Sequence, residues 1–226
     1  MVKDLISKEI LWLGPEAEEL LGEDLLRTRS KFHGRDFSLQ SQRLEEVVRL
    51  LVRKHEVTRI IETGTFHGKG TTLTYARTGL PVHSCEAHRK RFRAAVKNLS
   101  KFENVYLSHA FTTRASEASA EFLENLGEEN LPSDENWLLE ALRQATDERS
   151  LLVSLDSGGE VGLAEAEVLV EWIKQRKRQT TISLILDDIR FVKHEKTIPM
   201  LENEFGVDVF QVENRWGFTV IQSPGH

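Results

Sequence analysis

An acidic residue followed by a glycine-rich turn is the strongest chemical signal in this sequence. A short apolar run ends in Glu62, and Gly64 and Gly68 follow before residues 71–76, which can form a helix. A strand, a tight glycine turn and a helix N-terminus present unpaired backbone N–H groups to a ligand, and glycine lets the backbone come close to it. This stretch therefore predicts a site for a polar or anionic ligand.

A second acid lies at the spacing typical of ribose recognition. Glu86 ends the next candidate strand, residues 81–86, and follows Gly64 by 22 residues. In βαβ nucleotide sites, an acid about 20 residues beyond the glycine turn binds ribose hydroxyls. The two motifs together predict a nucleoside-like cofactor.

Two common phosphate-binding motifs do not fit these glycines. A P-loop needs glycine and then Ser or Thr where this chain has Thr63 and Gly70. The dinucleotide motif G-x-G-x-x-G needs glycines where the chain has Phe66 and Lys69. What remains is the pattern acid-x-Gly-x-x-x-Gly over residues 62–68.

This pattern, with the acid that ends the next strand, resembles motif I of the class I S-adenosylmethionine-dependent methyltransferases, in a variant whose middle glycine is replaced. The resemblance implies that S-adenosylmethionine is the cofactor and that Glu86 binds its ribose. It further implies that the turn holds the methionine and sugar parts and that the end of the third strand borders the adenine. The cofactor-binding residues would then be Glu62, Gly64, Thr65, Phe66, Gly68, Glu86, His109 and Ala110.

Three aspartates form the second signal. Asp156 ends the candidate strand 150–156, and Asp187 and Asp188 follow the strand 182–187. The carboxyl ends of parallel strands face one crevice, so the three carboxylates could converge there and raise one another's pKa values. A hard cation such as Mg²⁺ would relieve the repulsion and could lower the pKa of a bound hydroxyl.

The aspartate triplet is similar to that of the macrocin and aminocoumarin-type O-methyltransferases, within the methyltransferase-24 group. The resemblance implies Mg²⁺ bound by Asp156, Asp187 and Asp188, and methyl transfer to a hydroxyl of a small molecule. The alternative is structural, because acids often cap a following helix and Asp156 could merely build a turn.

The general base is where the chain departs from that group. The group has an aspartate two residues after the first metal ligand, and this chain has Gly158 there. His194 or His33 could replace it, because histidine titrates near neutral pH. We predict Asp156 and His194 as catalytic residues; the alternative is that His194 is a surface residue.

The elements that position these residues alternate as in an α/β fold. Amphipathic stretches predict helices at 38–55, 88–101 and 161–175, and apolar runs predict strands at 57–62, 81–86, 104–108, 150–156 and 182–187. Runs at 207–212 and 217–221 predict a closing hairpin. The expected fold is a Rossmann-like, doubly wound, mostly parallel seven-stranded sheet with a C-terminal antiparallel hairpin strand, and the family resemblance covers residues 38–222.

Two segments lie outside this plan. Residues 1–37 are predicted to be an N-terminal helical segment that caps the substrate pocket or, alternatively, a surface helix with a linker. The remaining residues, 38–226, form the methyltransferase-like domain. Within it, residues 112–149 are a helical insertion, and Gly127 and Pro132 favour a helix–loop–helix there.

Charge and composition restrict the partners. The net charge of −6 argues against broad nucleic-acid binding. Two basic clusters, residues 88–101 and 174–178, are interpreted as solvated helix faces, with an acidic partner as the alternative. In the first cluster, the helical spacing of Phe92, Val96 and Leu99 predicts that these three residues face the sheet.

The remaining composition is that of an ordinary globular protein, with 39% apolar and 29% charged residues. No run is long enough for a membrane span, and the sequence shows no signal peptide. The single cysteine, Cys85, excludes an intrachain disulfide and suits the cytoplasm, and we interpret it as a buried strand residue rather than a nucleophile. A homodimer through the N-terminal helices is compatible with the sequence.

Three functions remain open at this point. The leading one is an S-adenosylmethionine-dependent methyltransferase (class EC 2.1.1) acting on a small-molecule hydroxyl. The second is a non-catalytic or regulatory protein that keeps the fold and the cofactor site, which Gly158 and Phe66 motivate. The third is a nucleic-acid methyltransferase that uses the basic helix, although the Asn/Asp-Pro-Pro-aromatic motif of base amino-methylation is missing.

Overall fold

The apolar runs of the sequence pair into one sheet. A computed structural model describes residues 37–158, 161–176, 180–187, 196–205, 210–212 and 218–222. The strands are β1 (Arg59–Thr63), β2 (Val82–Cys85), β3 (Val105–Ser108), β4 (Ser150–Leu155), β5 (Thr181–Asp187), β6 (Phe210–Val212) and β7 (Phe218–Gln222). Their order across the sheet is β3-β2-β1-β4-β5-β7-β6.

The first five strands are parallel and the last two are not. β1 pairs in parallel with both β2 and β4, and β3 and β5 extend this part on either side. β7 pairs antiparallel with β5 and with β6. The predicted Rossmann-like α/β fold with a parallel sheet is therefore confirmed for the five parallel strands.

Helices connect the parallel strands, as crossover connections require. They are α1 (Phe37–Lys54), α2 (Thr71–Ala76), α3 (Arg89–Leu99), α4 (Ala120–Leu126), α5 (Trp137–Gln144), α6 (Gly162–Gln175) and α7 (Thr197–Phe205). The stretch between β3 and β4, predicted to be a helical insertion, contains α4, α5 and two short 3₁₀ helices. None of the described helices is long and apolar enough to cross a membrane.

The core has two layers because neighbouring strand residues point to opposite faces of the sheet. Ile60 packs with Leu152 and with α1 on one face. Ile61 packs with Val153 and with α5 and α6 on the other. All six residues of β4 are buried, as expected for a central parallel strand that is covered on both faces.

The strand order reverses between β1 and β4, which are neighbours although β2 and β3 lie between them in sequence. In an open parallel sheet this reversal leaves a crevice at the carboxyl ends of the two strands, where ligands bind. Glu62 and Thr63 end β1 there, and Asp156 follows β4. The fold thus brings the glycine turn and the first aspartate to the same place.

One prediction about the basic helix was wrong. Val96 does not face the sheet, because 46% of its surface is exposed. Ala95 is buried instead, together with Leu99 one helical turn later. The small side chain of Ala95 lets the glycine turn lie against the helix. A Cβ atom added to Gly68 would lie 2.6 Å from a Leu99 methyl carbon and 3.3 Å from the Ala95 Cα. The prediction for Cys85 is confirmed: it is a fully buried strand residue, and burial raises its pKa well above the usual value.

The predicted N-terminal segment lies outside the described residues, except for Phe37, with which α1 begins. The proposed division into residues 1–37 and 38–226 therefore stays a prediction.

Candidate cofactor and active site

The glycine turn after β1 has a backbone path that side chains would obstruct. Gly64 has φ +79°, and a Cβ atom added to it would lie 2.4 Å from the carbonyl oxygen of Asp156. Its N–H and that of Thr65 both donate to the carbonyl of Cys85, at 3.1 and 2.9 Å. Only glycine tolerates this combination of positive φ and close approach. The turn is therefore locked between the ends of β2 and β4.

Glu86 holds the middle of this turn. One carboxylate oxygen accepts the backbone N–H of Phe66 at 2.8 Å, and the other accepts that of His88 at 2.8 Å. Burial raises the pKa of Glu86, although these two hydrogen bonds and the nearby Arg91 oppose the rise. A carboxylate oxygen has two lone pairs, so each can still accept a hydrogen bond from a ligand hydroxyl.

Phe66 replaces the middle glycine of the motif and has the left-handed conformation that glycine would provide, with φ +52°. The residue is 52% exposed, and the Arg91 guanidinium carbon lies 4.8 Å from the centroid of its ring. A bulky residue at positive φ stores backbone strain, which the hydrogen bond to Glu86 offsets. Phe66 and Arg91 together form one wall of the crevice.

Glu62 lies beneath the turn, fully buried. One of its oxygens accepts the Ser84 hydroxyl at 2.7 Å, and Ser84 in turn lies 2.6 Å from the hydroxyl of Thr65. Burial raises the pKa of Glu62 to about 8. Hydrogen bonds from the neighbouring hydroxyls lower this pKa by a smaller amount, and the negative charge of Asp156 raises it slightly. Burial therefore favours the protonated form of Glu62.

Thr63 connects β1, β4 and α6 through its hydroxyl. The hydroxyl accepts the backbone N–H of Asp156 at 2.9 Å and donates to Glu165, a fully buried residue of α6, at 3.1 Å. Asp156 also accepts a hydrogen bond from the Thr71 hydroxyl at 3.4 Å. The position of Asp156 at the end of β4 is thus fixed from two sides.

A cleft opens at this point, and five of the predicted site residues line it: Gly64, Phe66, Glu86, Ala110 and Asp156. The other predicted residues of the cofactor set are placed differently. Glu62 and Thr65 are buried beneath the turn, and Gly68 packs on Leu99. His109 is bonded to the carbonyl of Ala87 at 3.0 Å, and its ring packs near that of Phe92.

Sequence reasoning missed several residues of the cleft. Arg91 and Phe122 line it, and so do the residues after β3, Phe111 to Arg114. Thr63 was missed as well, because its role depends on a contact between strands that are far apart in sequence. Arg91 is five residues after Glu86 on the first turn of α3, a position that could have been noticed.

The metal prediction lies partly outside the described residues. Asp187 ends β5, but its side chain, Asp188 and His194 are not described. Across the part of the chain that the structure describes, no three His, Cys, Asp or Glu side chains form a group that could hold a metal ion. The ligand set of Asp156, Asp187 and Asp188, the base His194 and the alternative base His33 therefore stay predictions.

The described cleft fits a cofactor with the chemistry of S-adenosylmethionine. A backbone turn without Cβ atoms at Gly64 lies next to Glu86, which has lone pairs available for a ribose. Two carboxylates, Glu86 and Asp156, line the cleft, and they suit a cofactor that carries a positive sulfonium and an ammonium group.

Solved structures of O-methyltransferases have the same fold. The O-methyltransferase of Bacillus cereus, crystallised in complex with SAH, is 18% identical with a TM-score of 0.50, over 92% of this chain and 90% of that one. A candidate caffeoyl-CoA O-methyltransferase from Staphylococcus aureus is 15% identical with a TM-score of 0.51, over 98% and 97%. The chain has a methyltransferase fold. Cofactor-bound Rv0187 from MTB, 17% identical with a TM-score of 0.53 over 94% and 91%, shares it.

These likenesses span nearly the whole of both chains, but at such low identity they establish the fold and not the reaction. No protein-family model and no curated protein matches the sequence.

Proposed function

We propose that this protein is an S-adenosylmethionine-dependent methyltransferase that methylates a hydroxyl of a small molecule. The observation that supports it most directly is the juxtaposition of Glu86 with the Gly64 turn at the sheet's switch point, in one cleft. Bound there, the cofactor would supply an activated methyl group on its sulfonium. The macrocin-like O-methyltransferase group is the assignment that we infer within the class.

Each part of the cleft has a role in this proposal. Glu86 would bind the ribose hydroxyls, and the turn at Gly64 and Phe66 would hold the methionine part. Ala110 would border the adenine, since it lines the cleft and is buried. Together these residues would fix the cofactor against the acceptor, so that the transfer depends mainly on position.

Asp156 would orient the acceptor on the other side of the cleft. We propose that it binds Mg²⁺ with Asp187 and Asp188, and that the metal would lower the pKa of the acceptor hydroxyl. His194 is the proposed base. We further propose that the protein is cytoplasmic and forms a homodimer.

One observation favours a second function, a non-catalytic protein that retains the cofactor. Position 158 is where the macrocin-like group has the aspartate that acts as general base. A Cβ atom added to Gly158 would lie 3.4 Å from the Phe122 ring, so a side chain there would contact that ring. Such a protein would bind the cofactor and transfer no methyl group.

The decisive experiment is calorimetric titration of the purified protein with S-adenosylmethionine, repeated with Mg²⁺ and with EDTA. We expect micromolar affinity, which Glu86→Ala should weaken. Any dependence on Mg²⁺ would support the aspartate site. Absence of binding in all three conditions would contradict both functions, whereas binding without turnover across hydroxyl acceptors would favour the second.

A further inference from the structure

The outer face of α3 carries an unusual concentration of positive charge. Five exposed cations, called here the basic stripe, are Arg89, Lys90, Arg93 and Lys97 of α3 and Lys101, which follows the helix. The stretch 87–102 holds six Lys and Arg residues and no acid. Since the net charge of the whole chain is −6, the rest of the chain has a net charge of −12. A stretch of this kind stands apart from the acidic remainder of the molecule.

The stripe is arranged against the electrostatic preferences of a helix. Arg89, Arg93 and Lys97 follow one another at intervals of four residues, which places like charges side by side and destabilises the helix. Arg89 and Lys90 lie in the first turn, where the helix dipole disfavours positive charge. A solvated surface helix normally mixes both signs, so this arrangement needs a reason outside the fold.

No described carboxylate neutralises these charges. The ion pairs of the described residues involve other arginines and lysines, such as Arg59 with Glu148 and Lys174 with Glu204. The Lys101 ammonium lies over the ring of Phe102, a contact that orders the side chain but leaves its charge unchanged. The positive field around α3 also shows in His88, whose pKa is lowered by burial and by the neighbouring Arg91 and Lys90.

The stripe leads directly to the cleft. α3 begins three residues after Glu86, and Arg91 in its first turn lines the cleft over the Phe66 ring. The side-chain amide of Asn98 donates to the backbone carbonyl of His67, which joins the other end of the helix to the glycine turn. Arg91 thus adds a sixth cation of the same stretch at the mouth of the cleft.

We propose that the basic stripe binds the phosphate backbone of a single-stranded nucleic acid. Four residues of helix advance by about 6 Å, so the stripe presents cations at intervals comparable to those between phosphates of an extended strand. A membrane fits less well, because Val96 is the large apolar side chain that α3 itself exposes, and one valine offers little to insert. The proposal extends the function beyond methyl transfer to a small molecule, and it holds whether or not the cofactor is bound.

The test measures binding of the full chain to a fluorescent single-stranded RNA of about 12 nucleotides, by anisotropy, over a series of KCl concentrations. Each phosphate contact should contribute about −0.7 to the slope of log affinity against log salt. We compare the wild type with Arg93→Gln/Lys97→Gln, which should reduce the magnitude of the slope by about 1.4. Arg53→Gln/Lys54→Gln removes the same charge at the exposed end of α1 and should leave the slope unchanged.

Thermal unfolding of each variant separates binding from folding, and the stripe variant should be at least as stable as the wild type because repulsion is relieved. Absence of RNA binding at low salt, or an equal loss of slope in both variants, would overturn the proposal. Stronger binding to poly-glutamate or to phosphatidylserine vesicles than to RNA would overturn it in favour of an acidic protein or a membrane. S-adenosylmethionine is titrated into the same preparation. Cofactor binding without RNA binding would contradict only the proposal for the stripe, and RNA binding without cofactor binding would contradict only the proposed function.

Discussion

Gly64 lies directly against the backbone of Asp156, so that a Cβ atom at position 64 would be 2.4 Å from the Asp156 carbonyl oxygen. The first glycine of the turn proposed to hold the cofactor and the first residue of the predicted metal set are therefore in backbone contact. The two residues directly follow β1 and β4, which pair in parallel at the switch point. The proposed cofactor and acceptor sides of the cleft are therefore in direct contact.

Gly64→Ala tests this contact. The added methyl group cannot fit at 2.4 Å, so we expect the turn or the end of β4 to shift and the affinity for S-adenosylmethionine to fall by at least ~10-fold, as calorimetry would measure. Stability should fall too, by several kcal/mol.

Gly79→Ala is the matched control for Gly64→Ala. Gly79 has nearly the same φ, +78°, but an added Cβ would meet nothing within 4 Å. It should therefore show only the cost of the left-handed backbone, about 1 kcal/mol, with unchanged affinity. Equal effects of the two substitutions would mean that φ, and not the contact with Asp156, requires glycine at position 64.

Glu86→Gln tests the acid that organises the turn. The amide keeps one acceptor oxygen but places N–H groups opposite the N–H of Phe66 or that of His88. Hydrogen bonds to a charged group contribute about 1.5–3 kcal/mol each, so we expect the affinity for S-adenosylmethionine to fall by roughly 10- to 100-fold. Glu103→Gln, an exposed acid beyond α3, is the control. An unchanged affinity in Glu86→Gln would remove Glu86 from the cofactor site.

The sequence predicts the parts of this fold that depend on local pattern. Alternating apolar runs placed the strands to within a few residues, and the spacing from Gly64 to Glu86 identified two residues that the structure brings into one cleft. Contacts between distant segments could not be read in the same way. That Glu86 would accept the N–H of Phe66 and that Thr63 would bond to Asp156 both depend on which strands are neighbours.

Helix periodicity alone also misassigned a face. The spacing of Phe92, Val96 and Leu99 satisfies the helical pattern, yet the close approach of the Gly68 turn requires a small residue toward the sheet, and Ala95 takes that position. The pattern of hydrophobic residues is insensitive to such a requirement, because alanine contributes little to it.

Glu62 should make the stability of the protein depend on pH in an unusual direction. Its pKa in the folded state is about 8, above the ordinary value of 4.5. Between these two pH values the folded state therefore keeps a proton that the unfolded state releases. Stability contributed by the neutral carboxyl is present at low pH and is lost as the pH rises toward about 8. Glu62→Gln cannot ionise. Between about pH 4.5 and 8, its free energy of unfolding should therefore rise relative to that of the wild type by several kcal/mol.

Urea unfolding at a series of pH values measures this difference. Other groups titrate in both proteins, so the informative quantity is the difference between variant and wild type at each pH. Glu103→Gln, a substitution of an exposed acid, should show no such trend. A difference that stays constant between about pH 5 and 8 would mean that Glu62 ionises normally, and that the hydroxyls around it stabilise its charge as much as burial opposes it.

Thr63→Val tests the buried hydroxyl that links three elements. Valine has nearly the same shape but cannot accept the N–H of Asp156 or donate to Glu165, so two buried polar groups lose a partner. We expect a loss of about 2–4 kcal/mol in the free energy of unfolding, measured in urea. Thr63→Ser restores the hydroxyl with one methyl group fewer and should recover most of that loss. If Thr63→Ser were as unstable as Thr63→Val, packing of the methyl group and not the hydrogen bonds would account for the buried threonine.

The affinity for S-adenosylmethionine should follow the same order, with Thr63→Val binding most weakly. The reason is that the Thr63 hydroxyl fixes the backbone of Asp156, against which the Gly64 turn lies.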